Sequence, residues 1–212
     1  MSELYRIHQY DPNEFNFITL TRVLLGESNL EKLSTRHQLI TRKTDQNTFW
    51  HSRFYTGLDQ DPLFLMTYRA FVQQVIALVI GEPFYWQKIP TLRIHLRDNL
   101  AVGEFHTDKS YNHPDGETNF WVPLTRAFKT ATIQLEMKNG DTTYVALRPG
   151  LFLQFDANEV PHGNKINREL ISRVSFDFRI LPVRFYVPSE ARTINTGVRF
   201  APGEYYSKEI MG

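Results

Sequence analysis

Cysteine is missing altogether: there is none among 212 residues. That excludes disulfide staples, thiolate nucleophiles, zinc ribbons and thiolate-held iron–sulfur clusters, and leaves any metal to nitrogen and oxygen ligands. An excess of charge is missing as well. Lys+Arg 24 against Asp+Glu 23 leaves a net charge of +1, so no bulk electrostatic attraction favours a nucleic acid or an anionic membrane. The opening residues MSELYRIHQY lack the basic segment and apolar run of a secretory leader. With the absent cysteine, this points to a reducing cytoplasm. Gly and Pro number only 11 each, and no repeat, low-complexity tract or long linker divides the chain. Long unbroken apolar runs are lacking too: the longest candidate, 62–80, is interrupted by Arg69, Gln73 and Gln74, a polar stripe that hydrocarbon would reject. It reads as a core helix.

What the chain has in quantity is aromatic side chain, 14% of residues with Phe 16, Tyr 10 and Trp 3, which suits strands or an aromatic-lined pocket. The length fits one domain. Asp61 and Pro62 can open the 62–80 helix, and Gly81 and Pro83 can close it. Residues 15–37 hold helical spacing, with Ser28 and Glu31 placed for a capping box on a short second helix. From Phe84 the rhythm changes to alternating runs at 91–97, 118–123, 131–137, 142–147, 151–155 and 172–180. Asn139-Gly140-Asp141 marks a hairpin, and Pro149-Gly150 a tight turn. The expected architecture is mainly β with flanking helices, a jelly roll or sandwich within one domain, 1–212. Residues 1–83 form a helical buttress, 84–182 the β core, and 183–212 a segment packing over the barrel or against a partner subunit.

His106-Thr107-Asp108 sets an imidazole and a carboxylate at i and i+2, the same face of a strand. With 7 His in the chain, such a triplet arises by chance about 0.3 times, so alone it is weak. His162 follows in PHGN, after a strand-like run. Two His and one carboxylate can occupy one face of an octahedral ion and leave three positions open, the arrangement of non-haem Fe(II) oxygenases. Arg173 and Ser175 then share a face of SRVSFDFRI, where an Arg fork beside a hydroxyl suits a carboxylate. Asp177 and Arg179 fall on the same face and are expected as a surface ion pair.

His-x-Asp, a distal His and Arg-x-Ser together resemble the Fe(II)/2-oxoglutarate-dependent dioxygenases, in the phytanoyl-CoA hydroxylase-like branch. The stretches FHTDKSYNHPDGETNFWVPLT, FLQFDANEVPHGN and RVSFDFRILP are similar to the small hydroxylase-like enzymes of streptomycin and related natural-product gene clusters. The resemblance implies a double-stranded β-helix (cupin-like jelly roll), with His106, Asp108 and His162 as catalytic iron ligands. It also implies that Arg173 and Ser175 bind the distal carboxylate of 2-oxoglutarate, with O₂ as oxidant and succinate and CO₂ released. The halogenases of this superfamily replace the carboxylate ligand with a small residue, so Asp108 argues for hydroxylation or another non-halogenating oxidation.

By position in that fold, Asn119 and Gln134 are candidate cosubstrate contacts, with core satisfaction the alternative. Arg93, Lys109, Tyr111 and Trp121 are candidate substrate contacts, and Arg126 lies near the expected mouth. Arg93, His95 and Arg97 share one face, either as a polar lining or as a solvent-facing edge. His113 reads as a surface-loop histidine. Two rival readings remain open: a cupin-like isomerase or hydrolase using a divalent Lewis acid, and a ligand-binding jelly roll without catalysis. The expected partner is a small-molecule substrate, with no nucleic acid and no membrane, for a monomer or homodimer. Ring closure, desaturation and epimerisation stay open beside hydroxylation.

Overall fold

In the computed structural model, which describes residues 4–33, 48–101 and 105–212, the alternating runs become strands of two sheets. The strands are β1 Tyr5–Gln9, β2 Phe84–Trp86, β3 Thr91–His95, β4 Thr118–Pro123, β5 Gln134–Glu136, β6 Thr142–Tyr144, β7 Leu151–Phe155, β8 His162–Gly163 and β9 Arg173–Pro182. Six strands form the larger sheet in the order β1-β7-β4-β9-β2, with β3 also paired to β9, and β6-β5-β8 form the smaller one. At ten residues, β9 is long enough to hold β2 and β3 end to end along one edge and β4 along the other. All its pairings are antiparallel, as a jelly roll requires. The β5–β6 hairpin turns where Asn139-Gly140-Asp141 predicts, with Gly140 at φ +82 in the left-handed region that favours glycine.

The helices cover one face of the larger sheet. Helix α1, Phe17–Leu25, is capped by the Asn16 side chain, which accepts from the Thr19 N–H, and ends on left-handed Gly26. The expected second helix is a single 3-10 turn, Leu30–Lys32, and its cap is Asn29 instead of Ser28. The capping box fails because Asn29 accepts from the Glu31 N–H, while the Glu31 carboxylate is drawn away to Arg126 at 2.8 Å. Residues 34–37 of that predicted stretch lie outside the described residues. Helix α2, Phe49–Gln60, has no counterpart in the sequence reading; Thr48 caps it. The 62–80 helix forms as α3, Leu63–Phe71, a π turn over Val72–Ile76, and α4, Ala77–Ile80. Asp61 Oδ1 accepts from the Leu63 N–H at 2.9 Å, and Gly81 closes it in the left-handed conformation, both as expected. By length and composition it is apolar enough to cross a membrane. Its Phe64, Tyr68, Phe71, Val72 and Ile76 are nevertheless buried in the core of this fold.

The core between helices and sheet is aromatic. Phe176 meets Phe17 edge-on at 4.9 Å, and Phe178 meets Tyr68 at 5.2 Å and stacks on Phe120 at 5.3 Å. Each buried Phe removes enough apolar surface from water to contribute roughly 1.5–3 kcal/mol before entropy is counted. One feature departs from the expected organisation. The N-terminal 1–83 segment is not only helical, because β1 pairs with β7 and supplies the outer strand of the larger sheet, covering an edge that would otherwise offer unpaired N–H and C=O groups. The 183–212 segment folds back on the barrel, with Met211 bridging Phe84 and Tyr206 bridging Gln87, so it covers the opposite edge.

Candidate metal centre

His106 and His162 are joined through their backbones. The His106 N–H donates to the His162 carbonyl at 3.1 Å, and the His162 N–H returns the bond at 2.9 Å. Asp108 opens the 3-10 turn Asp108–Tyr111, and its N–H donates to the Ala157 carbonyl at 2.7 Å, in the loop that follows β7. These bonds bring three side chains, 56 residues apart at the extremes of sequence, to one point. Asp108 Oδ1 lies 3.6 Å from His162 Nε2 and 3.9 Å from His106 Nε2, and one ligand atom from each residue falls within 4.8 Å of the others. The triplet is therefore a real cluster, although Asp108 stands on a turn and not on the strand the spacing suggested.

Two of the three side chains, His162 and Asp108, are set up to receive an ion. The His162 Nδ1–H donates to the Val160 carbonyl at 3.0 Å; that fixes the tautomer and leaves the Nε2 lone pair facing Asp108. Burial, only partly offset by Asp108, pushes the His162 pKa down to about 4, so the ring is neutral near pH 7. Asp108 has one oxygen committed: Oδ2 accepts from Arg179 Nε at 2.7 Å, which leaves Oδ1 toward the imidazoles. Burial would raise its pKa, but the Arg179 guanidinium, with His162 and His113, outweighs that and holds the carboxyl well below its usual range. Two imidazoles and one ionised carboxylate with a single free oxygen are a donor set that fits Fe(II).

Across the same inner face lies the second predicted constellation. Arg173 is 1% exposed. It donates from Nη1 to Ser175 Oγ at 2.8 Å and from Nη2 to Asn164 Oδ1 at 3.4 Å, and it lies 5.5 Å from the Trp121 ring centre. Its Nε–H is buried without an acceptor, and no carboxylate pairs with it among the described residues. Burial, together with Arg93, lowers the Arg173 pKa to about 9. Gln134 is fully buried with neither amide atom bonded, and Asn119 Oδ1 is likewise unbonded. Asn119 sits across from Arg179 in the β4–β9 register. These buried atoms without partners lie on strands of both sheets, Asn119 on β4 and Gln134 on β5.

Of the remaining candidates, Tyr111 lies edge-on to His106 at 4.8 Å. Trp121 is buried beneath Arg173, and Arg93 donates to Asp177 at 2.7 Å. Lys109 is exposed and pairs with Asp115 at 3.1 Å, while Arg126 is occupied by Glu31. On the 91–97 face, His95 is completely buried and its pKa is lowered to about 3 by burial and then by Arg173, whereas Arg97 lies beyond β3, exposed and beside Asp98.

Two sequence expectations are corrected. Asp177 and Arg179 are not a surface pair: they are 3% and 5% exposed and join the metal cluster through Asp108. Alternation along β9 placed them on the Arg173 face, and that was the available signal. His113 is not a surface histidine either. Its Nδ1 is 2.6 Å from Glu117 Oε2, Tyr206 donates to the same carboxylate, and its ring rests on Phe200.

No family model matches the sequence. The chain is 37% identical over 198 residues to the streptomycin biosynthesis protein StrG of Streptomyces griseus, covering 93% of this chain and 95% of that protein. Among solved structures it is similar to EctD from S. alaskensis with bound Fe, with a TM-score of 0.59 at 13% identity, covering 88% of this chain and 75% of that one. It is also similar to the non-heme alpha ketoglutarate dependent epimerase SnoN from nogalamycin biosynthesis, with a TM-score of 0.50 at 14% identity, covering 96% and 93% of the two chains. The fold is thus the jelly roll of these iron and 2-oxoglutarate proteins.

Proposed function

The chain belongs to the family of the streptomycin biosynthesis protein StrG, and on that premise we propose that it is an Fe(II)- and 2-oxoglutarate-dependent oxygenase hydroxylating a small natural-product molecule derived from a sugar or an amino acid. His106, Asp108 and His162 hold the metal in this reading. Bound there, Fe(II) would activate O₂ for the oxidative decarboxylation of 2-oxoglutarate to succinate and CO₂ and for oxidation of the substrate.

The observation that carries the reading is Arg173. A buried guanidinium without a counter-charge costs several kcal/mol, and a carboxylate bound to its free donors, with the Ser175 hydroxyl beside it, offsets that cost. A Lewis-acid isomerase or a simple binding module needs the triad at most, and has no use for this fork. The unbonded Gln134 Nε2 can donate a further hydrogen bond to the same cosubstrate, and Asn119 lines the same site through its side-chain amide. On the substrate side, Tyr111 flanks His106 and Lys109 stands at the rim, while Arg93 and Trp121 shape the wall that they share with Arg173. A free small molecule is the partner, with neither nucleic acid nor membrane involved, for a monomer or homodimer in the cytoplasm.

The test is anaerobic titration of the apo-protein with Fe(II) and then 2-oxoglutarate. The expected result is a weak visible charge-transfer band of the chelate. Fe(II) binding without the band supports the Lewis-acid reading, and no metal binding supports the ligand-binding module. Once a substrate is found, the product mass separates the outcomes: one added oxygen for hydroxylation, two lost hydrogens for ring closure or desaturation, no change for epimerisation.

A further inference from the structure

We infer that Arg179 is a positioning residue that locks Asp108 into one-oxygen ligation, and that Asp177 and Arg93 hold Arg179 in place for that purpose. The inference rests on the metal reading of the His106, Asp108 and His162 cluster. The four side chains form one continuous ladder. Arg93 Nε donates to Asp177 Oδ1 at 2.7 Å, Arg179 Nη1 donates to Asp177 Oδ2 at 2.6 Å, and Arg179 Nε donates to Asp108 Oδ2 at 2.7 Å. Side-chain exposures are 17% for Arg93, 5% for Asp177, 7% for Arg179 and 4% for Asp108. Two cations and two anions cancel, so the ladder is neutral before any ion arrives.

Geometry gives the ladder its role. A carboxylate that uses both oxygens on a metal fills two coordination positions, while one with an oxygen already bonded fills one. Arg179 takes Oδ2, so Asp108 offers Oδ1 alone. The guanidinium cannot swing to release Oδ2 without breaking its bond to Asp177, and Asp177 is held from its other side by Arg93. The backbone adds a further restraint, since the Arg179 N–H donates to Gln87 Oε1 at 3.2 Å, and that oxygen also accepts from the Tyr205 hydroxyl at 3.0 Å. Arg93 lies across from Ser175 in the β3–β9 register, so the ladder runs from the metal end of β9 toward the Arg173 end.

Charge and geometry predict opposite effects of removing Arg179. As a cation beside a metal ion, it repels the ion, so by charge alone Arg179→Gln would tighten metal binding. As a positioning group it organises the ligand, and its loss would weaken binding on the order of 10–100-fold, the range for groups that orient metal ligands. The experiment is anaerobic calorimetric titration of Fe(II) into apo wild type, Arg179→Gln, Arg179→Lys and Asp177→Asn, with thermal melts of each apo-protein. Co(II) spectra of the same proteins report coordination number.

The expected result is a Kd raised at least tenfold in Arg179→Gln and incompletely restored by Lys, with a Co(II) spectrum shifted toward higher coordination. Unchanged or tighter binding in a folded Arg179→Gln overturns the inference. Should that variant fail to fold, Asp177→Asn decides: it leaves the Arg179–Asp108 bond in place but loosens its outer support. A Co(II) spectrum shifted toward higher coordination upholds the ladder, and a wild-type spectrum overturns it. If wild type itself binds no Fe(II), the metal reading fails and the inference with it; if wild type binds and every variant binds equally well, only the inference fails.

Discussion

From Arg173 to Pro182 every residue of β9 is buried, yet its two sides are built from different chemistry. Val174, Phe176, Phe178 and Ile180 belong to the core under the helices, where Phe176 meets Phe17 and Phe64, and Phe178 meets Tyr68 and Phe71, ring against ring. Arg173, Ser175, Asp177 and Arg179 face the space between the sheets. On the apolar side, close ring packing accounts for the burial. On the polar side most of the groups are paired with one another, and Arg173 is the exception, with an unbonded donor and no carboxylate partner among the described residues. A strand can therefore be core on one side and site on the other at equal burial, and the unpaired group, not the burial, shows which side binds a ligand.

That contrast is sharpest at the His106, Asp108 and His162 cluster. Asp108→Ala is expected to abolish succinate release from 2-oxoglutarate, by at least about a thousandfold, in a protein whose apo form still melts cooperatively; unchanged turnover would remove the iron assignment. Arg173→Met is expected to separate ligand binding from stability. It should raise the apparent requirement for 2-oxoglutarate on the order of 100-fold, far more than that for Fe(II). The apo-protein should be as stable as wild type or more so, because an uncompensated buried cation is gone. A large loss of apo stability with equal effects on both ligands would make Arg173 structural.

Phe176→Ala examines the other side. It should cost about 3–5 kcal/mol and lower the Tm by roughly 10 °C for a chain of this length, while the folded fraction keeps wild-type affinity for 2-oxoglutarate. Acid should weaken both sides. His51, whose pKa burial lowers to about 4, sits in the helical layer, and His95, lowered to about 3, sits beside Arg173. Both are neutral when folded and would take up protons on unfolding below about pH 6.5. The stability conferred by their depressed values is complete above that pH and is lost as pH falls toward 4 and 3. Denaturant titrations of the apo-protein at pH 7 and pH 4.5 should differ by a few kcal/mol, and His51→Gln should reduce the difference.

Much of this was legible in the sequence because the signals were local. The 151–155 and 118–123 runs matched β7 and β4, the Asn139-Gly140-Asp141 turn matched its hairpin, and Asp61 and Gly81 bounded the long helix where their chemistry allows. The clustering of His106, Asp108 and His162 could be anticipated because two histidines and one aspartate fell at a spacing that one ion would explain. The misses arose where tertiary partners decide. Short YRIHQ carries little strand signal by itself and becomes β1 because β7 offers an edge. Ser28 lost its cap to Asn29 once Arg126 drew Glu31 away. Asp177 and Arg179 looked like solvated charges because nothing in the local pattern shows that Asp108 arrives from a turn and Arg93 from another strand to neutralise them.

The way the tail meets β2 has a consequence for how the protein assembles. Phe84 and Gln87 take their outer partners from Met211 and Tyr206, more than a hundred positions along the chain, and Tyr206 also secures Glu117 beneath His113. Until that distant segment docks, β2 presents an open ribbon to any passing strand, including the tail of a second molecule. A chain clipped within its last eight residues should thus be prone to clumping during refolding, and concentrated refolding of the intact chain should give some strand-exchanged dimers, each tail closing its neighbour's sheet.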